Sequence, residues 1–282
     1  MGQTRHVVSV EASRPTMEGA GVSLRRAFGR ADTSLDPFLL LDDFGSLDPA
    51  DYLAGFPWHP HRGIETITYM LDGEVSHGDS LGNKGEIGPG DVQWMTAGSG
   101  IVHEEMPRPS HRLRGFQLWA NLPRSHKMMD PRYQEVPASI IPTAELADGV
   151  SAKVICGEAG GVVGPVHDIV TDPEYLDVTM EPGALLCHEI PAGYNAFAYL
   201  FEGRARFNDS GDPVGERRLV VLGDGSEVGI TSNGEGARFL LVSGRPIREP
   251  VAWRGPIVMN TDEELRIAFE EYRQGTFIGQ KR

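Results

Sequence analysis

Glycine and proline punctuate this chain, 35 and 20 of them in 282 residues, and between them lie short runs rich in Val, Ile, Thr and aromatic residues. "ETITYML", "VQWMTA", "RGFQLWANL", "AKVICG", "LDVTM", "FAYLFEG", "RARFN" and "RFLLVSG" are examples. Turn residues recurring about every 8–12 positions around such runs are the pattern of an all-β sandwich or barrel. The length exceeds the roughly 100–200 residues of one domain, which leaves two domains or one large all-β unit.

The chain also repeats itself. "YMLDG" at Tyr69–Gly73 returns as "YLFEG" at Tyr199–Gly203, and "GDVQWMTAG" from Gly90 is echoed by "GDGSEVGITSNG" from Gly223. Two echoes at nearly the same offset, in the same order, point to two similar β-modules in tandem. The tail departs from this pattern. In "NTDEELRIAFEEYRQG", Thr261 and Glu264 form a capping box, and Leu265, Ala268, Phe269 and Tyr272 follow at helical spacing. One amphipathic helix is expected at about 262–274, docked on one of the modules, and a short helical piece near "SHKMMDPRYQ".

Charge narrows the partners. A formal net charge of −14 repels phosphate backbones. The densest basic stretch, with Arg108, Arg112 and Arg114, reads as a solvated loop and strand, so no direct nucleic-acid partner is expected. Cys156 and Cys187 are too few to staple the chain and lack metal-site spacing. The first residues lack a signal-peptide apolar core, and no later run approaches the roughly 20 residues of a membrane span. A cytoplasmic protein without a membrane partner is the expectation.

The chemistry concentrates at "FPWHPHRGIETITYMLDG", Phe56 to Gly73. In an extended strand, His59 and His61 project to the same side. Alone, such a pair reads as surface or hydrogen-bonded histidines before it reads as a chelate. About forty residues on, "GPGDVQWMTAGSGIVHEEMP" presents His103 and Glu105 at the same spacing after a Gly-rich turn. Three imidazoles and one carboxylate suit a divalent first-row metal, whereas Ca²⁺ or Mg²⁺ would not need imidazoles. Four ligands leave room for water or substrate.

These two segments, with "GFQLWANLP" and "GRPIREPVAWRGPIVMNTDEE", resemble the pirin family, two-domain members of the cupin superfamily. The resemblance is strongest from about Gly55 to Leu122 and from about Arg245 to Glu264. It implies two tandem cupin domains of jelly-roll type with a C-terminal helix: residues 1–135 binding metal, and 136–282 lacking the ligands. It further implies one divalent transition metal per chain, Fe(II) in the first place with Ni, Cu, Mn, Zn or Co as alternatives, held by His59, His61, His103 and Glu105. Glu65 then has a supporting or structural role, and Glu104 points away. His77 and His111 read as lone solvated or hydrogen-bonded residues. Shifting the four ligands by the repeat offset lands on Glu189, Pro191, Gly236 and Arg238, and His188 sits one place off without partners.

Proteins of this family can open quercetin and related flavonols with O₂, as quercetin 2,3-dioxygenases. Here the metal would take the flavonol's 3-oxygen, and Glu105 would be the catalytic proton acceptor. Phe56, Trp58, Trp94 and Met95 could wall a flat substrate, but core packing is the preferred reading for them, since alternation puts only half of them on the metal side. The alternative function is a metal-bearing, redox-sensitive regulator of protein partners without physiological turnover.

Overall fold

In the computed structural model, which describes residues 3–208 and 211–279, the alternating runs become strands. The chain forms two compact units, each drawing on distant stretches of sequence. One takes Pro15–Ala31, Phe38–Ala138 and Ile247–Arg282, and the other takes Met1–Arg14, Asp32–Pro37 and Ser139–Pro246.

The first unit bears the histidines. Its larger sheet has seven strands in the order Arg132–Val136, Val92–Thr96, Ile64–Asp72, Leu113–Asn121, Phe38–Ser46, Val22–Gly29 and Arg14–Glu18. A four-stranded sheet runs Phe56–His61, Ile101–Pro107, Val75–Asp79, Lys84–Ile87. Ile67, Phe116 and Leu118 of the larger sheet are fully buried, while Thr66, Thr68 and Gln93 are buried polar residues on the same sheet. This interior is therefore partly polar, as a ligand cavity requires.

In the second unit, Glu227–Gly244 is the spine of an eight-stranded sheet, pairing with Asn195–Phe207, Glu174–Met180 and Leu185–Glu189. The runs "FAYLFEG" and "RARFN" are one continuous strand, Asn195–Phe207. Val7–Ala12 pairs with Arg218–Leu222 at the edge of this sheet. Leu176, Val178, Leu200, Phe207, Ile230, Phe239 and Leu241 join one apolar cluster.

The tail helix spans Asp262–Gln274, with the Thr261–Glu264 capping box formed and Gly275 left-handed at its end. Leu265 and Ala268 pack with Ile257, Met259 and Phe277, so the helix docks within the histidine-bearing unit. Tyr272 is half turned to solvent. No helix among the described residues is long and apolar enough to cross a membrane.

The helical piece expected near "SHKMMDPRYQ" is a correction. His126 N and Lys127 N both donate to Pro123 O, but the turn stops, because Pro131 has no N–H to continue it and disfavours helical backbone at Asp130. Arg132–Val136 then pairs with Val92–Thr96 as a strand.

That turn delivers a buried amine. Lys127 Nζ donates to Asn121 Oδ1 at 2.7 Å, Gly63 O at 2.9 Å and Val258 O at 3.1 Å. Burial pushes the ammonium down to about 7, with Glu249 and Glu264 opposing. Because this value lies below the ordinary 10.5, the unfolded chain holds the proton more tightly, and stability rises with pH across that window. Lys127→Met is expected to flatten the rise. It should also cost about 2 kcal/mol at neutral pH by leaving Asn121 Oδ1 and Val258 O without this donor, while Gly63 O keeps Leu122 N, as read from urea unfolding over a pH series.

Candidate metal centre

His59 and His61 lie on Phe56–His61, the edge strand of the four-stranded sheet. An edge is where the missing N–H of Pro60 is tolerated. The neighbouring strand Ile101–Pro107 sets His103 directly opposite His59 and Ile101 opposite His61. A register shift after His103 then brings Glu105 opposite Phe56.

Alternation turns the three imidazoles inward, and their ring nitrogens come within 4.8 Å of one another. His59 Nδ1 lies 2.9 Å from Pro57 O and His61 Nδ1 lies 3.0 Å from Pro256 O. A carbonyl oxygen only accepts, so both Nδ1 atoms carry the proton. Each Nε2 is then a bare lone pair, and the two Nε2 atoms face each other at 3.1 Å. His103, 1% exposed, has no hydrogen-bond partner at either nitrogen.

Burial lowers all three imidazoles. His61 falls to about 3 through desolvation, with His59 adding to it and the Pro256 carbonyl opposing. His59 is lowered by desolvation, and His103 by desolvation and then by His61, His59 and His77. Neutral imidazole is the ligating form. An uncharged site holding converging lone pairs and an orphaned buried imidazole is unfavourable by itself and fits a cation.

Glu105 stands apart from this group of three, because its carboxylate oxygens fall outside the 4.8 Å cluster. It lines the same cavity as His59 and His61. Its Oε1 accepts from Thr68 Oγ1 at 3.1 Å, and burial raises the carboxyl to about 7 against that bond. A neighbouring cation would favour the carboxylate form.

The cavity measures about 650 Å³ and is walled by Leu24, Leu40, Phe44, Phe56, Trp119 and Trp253. The Trp119 ring stands edge-on to His61 at 5.1 Å and meets Trp253 at 5.9 Å. Of the four apolar candidates from the sequence, Phe56 lines the cavity, whereas Trp58 is half exposed and Trp94 and Met95 are core residues. Glu65 is buried and accepts from Thr96 Oγ1 at 2.7 Å. Glu104 is only half buried.

Two of the other histidines sit against carboxylates outside the metal cluster. His77 is buried directly across from Glu105, with Nε2 3.3 Å from Glu135. His188 pairs with Glu174 at 2.8 Å. His111 is exposed. Among the described residues, no cluster of three potential ligands forms in the second unit.

Sequence reasoning missed the residues that orient the centre from afar. Pro256, Trp253 and the helix arrive from the end of the chain. Arg62, next to His61, donates to Ser99 O at 2.6 Å, Glu271 Oε2 at 2.6 Å and Phe277 O at 2.9 Å, and its guanidinium covers the Phe277 ring. No short motif signals such contacts, which span up to 215 residues.

Comparison with known proteins agrees with this architecture. Residues 21–120 match the Pirin family model, and residues 175–278 match the Pirin C-terminal cupin domain. A pirin-like protein of Caulobacter vibrioides is 45% identical over 276 residues, covering 97% of this chain and 99% of its own. Pirin of Homo sapiens is 41% identical over 278 residues, covering 97% and 94%. The crystal structure of quercetin 2,3-dioxygenase from Acinetobacter baumannii superposes with a TM-score of 0.90 at 32% identity, covering 97% and 98%. With both halves matched and relatives aligned over nearly their whole length, this two-cupin chain belongs to the pirin family.

Proposed function

We propose that this chain is a mononuclear metal dioxygenase that opens flavonols such as quercetin with O₂. One divalent transition metal, Fe(II), would be held by His59, His61 and His103, with Glu105 as the fourth ligand. The observation that carries the reading is the pair of Nε2 lone pairs facing each other at 3.1 Å, with both Nδ1 protons committed to carbonyls. The likeness to the Acinetobacter baumannii quercetin 2,3-dioxygenase supports the choice of substrate.

When bound, the metal supplies Lewis-acid charge that acidifies the flavonol 3-hydroxyl and raises electron density in the ring that meets O₂. The chain's residues do the rest. The Glu105 carboxylate, steadied by Thr68 Oγ1, accepts the 3-hydroxyl proton. Burial makes the Glu105 carboxylate more basic than one in water, which suits it to take up that proton. Phe44, Phe56, Trp119 and Trp253 hold the flat ring system and exclude water.

Protein loaded anaerobically with Fe(II) is expected to bleach the quercetin absorbance band once O₂ is admitted, and to release carbon monoxide. Glu105→Gln should slow this at least about 100-fold, the usual size of a proton-transfer contribution, while melting as the wild type does. Iron-loaded protein that leaves quercetin intact would sink the dioxygenase reading.

A further inference from the structure

Apart from its histidines, the cavity wall carries polar side chains that its apolar surroundings do not require. Arg26 is in register with Asp42, Asp42 with Gln117, and Gln117 with Thr68, across four adjacent strands. Residues that face one another on neighbouring strands project from the same face. Arg26, Asp42 and Gln117 line the same cavity as His59, His61 and Glu105.

The row is bonded in two stretches, Arg26 with Asp42 and Gln117 through Thr68 to Glu105. Arg26 Nε and Nη2 each donate to an Asp42 oxygen at 2.8 Å. Gln117 Nε2 donates to Thr68 Oγ1 at 3.4 Å, and that hydroxyl donates to Glu105 Oε1 at 3.1 Å. A Cβ on Gly29 would lie 2.7 Å from Arg26 Cδ, so the sequence keeps that position bare where the arginine stem crosses. Asp42 is 5% exposed. Replacing an ion pair with a buried partner by an apolar pair of the same volume is often neutral or stabilising, so stability is a weak reason for it. A guanidinium has five N–H groups. Asp42 takes two and Glu18 takes one at 2.8 Å, leaving two for a ligand.

We propose that the row from Gln117 to Arg26 reads the outer-ring hydroxyls of a flat polyhydroxylated aromatic whose metal-binding end lies at the histidines. This rests on the flavonol reading above and adds the residues that choose among flavonols.

The test crosses two ligands with three proteins. Quercetin carries hydroxyls on both outer rings, and 3-hydroxyflavone shares its core and 3-hydroxyl but has none there. Binding is read from quenching of tryptophan fluorescence, with and without Fe(II), for wild type, Gln117→Leu and the double variant Arg26→Met with Asp42→Leu. The double variant replaces both charges together and so leaves neither buried unpaired, and circular dichroism checks its fold.

Wild type is expected to prefer quercetin by about 10–100-fold, the range for hydrogen bonds to charged and polar groups. Gln117→Leu should lose part of that preference and the double variant most of it, with 3-hydroxyflavone affinity changing less than about 3-fold in each. The pattern should hold without metal. If 3-hydroxyflavone binds and the variants keep the wild-type preference, the row does not read hydroxyls and the flavonol reading stands. If neither flavonol binds the wild type, both fall together.

Discussion

Replacing His103 with alanine is expected to abolish flavonol turnover and metal-dependent stabilisation while leaving the fold in place. Both ring nitrogens of His103 are buried without a protein partner, so the imidazole contributes little to the metal-free fold beyond packing. Losing an outer partner of a ligand costs about 10–100-fold in metal affinity. Losing a ligand should exceed that, by about 1000-fold. For the wild type, free metal at 1000 times its dissociation constant adds about 4 kcal/mol, which for a protein of this size corresponds to a rise of about 10 °C in Tm. His103→Ala should show no such rise at the same metal concentration, and its metal-free melting should stay within a few degrees of wild type. A variant that kept the metal-dependent shift would remove His103 from the site.

Gly63→Ala should be the most destabilising small substitution near the centre. Gly63 has φ +77°, and a Cβ there would overlap the Val258 carbonyl. Neither side can give easily. Gly63 N donates to Gly98 O at 2.8 Å, Lys127 Nζ holds its carbonyl, and Val258 N donates to Arg62 O at 3.0 Å. Left-handed strain and the backbone clash together should cost at least about 3 kcal/mol. The strand Ile257–Met259 would have to move, taking with it Pro256 O, the acceptor that fixes the His61 tautomer. Metal affinity should therefore drop as well, about 10–100-fold. Urea unfolding and metal titration read the two effects separately, and wild-type values in both would show that the two segments do not depend on each other.

Much of the fold is legible because its signals are local. The runs named from the sequence are strands, and Thr261, Glu264 and Gly275 bound the tail helix as their chemistry requires. The inward pairing of His59 with His61 follows from strand alternation. Their meeting with His103 depends on register between strands about forty residues apart, which the second motif hinted at and the resemblance to pirins supplied. What stayed hidden is long-range. Pro256 serves His61 from 195 residues away. Arg26, Asp42, Gln117 and Thr68 form a row only once four strands align. Each looks like an ordinary polar residue in sequence. The terminal stretches carry no mark of which unit they complete, and "SHKMMDPRYQ" misleads because its helical run is too short to outlast a proline.

The central claim is that one cation sits among His59, His61 and His103, and anomalous diffraction at the iron edge tests it most directly. Crystals of protein loaded anaerobically with Fe(II) should show a single strong peak about 2 Å from Nε2 of His59, Nε2 of His61 and a ring nitrogen of His103. Iron bound elsewhere, or ordered imidazoles with no peak between them in metal-saturated protein, would contradict it.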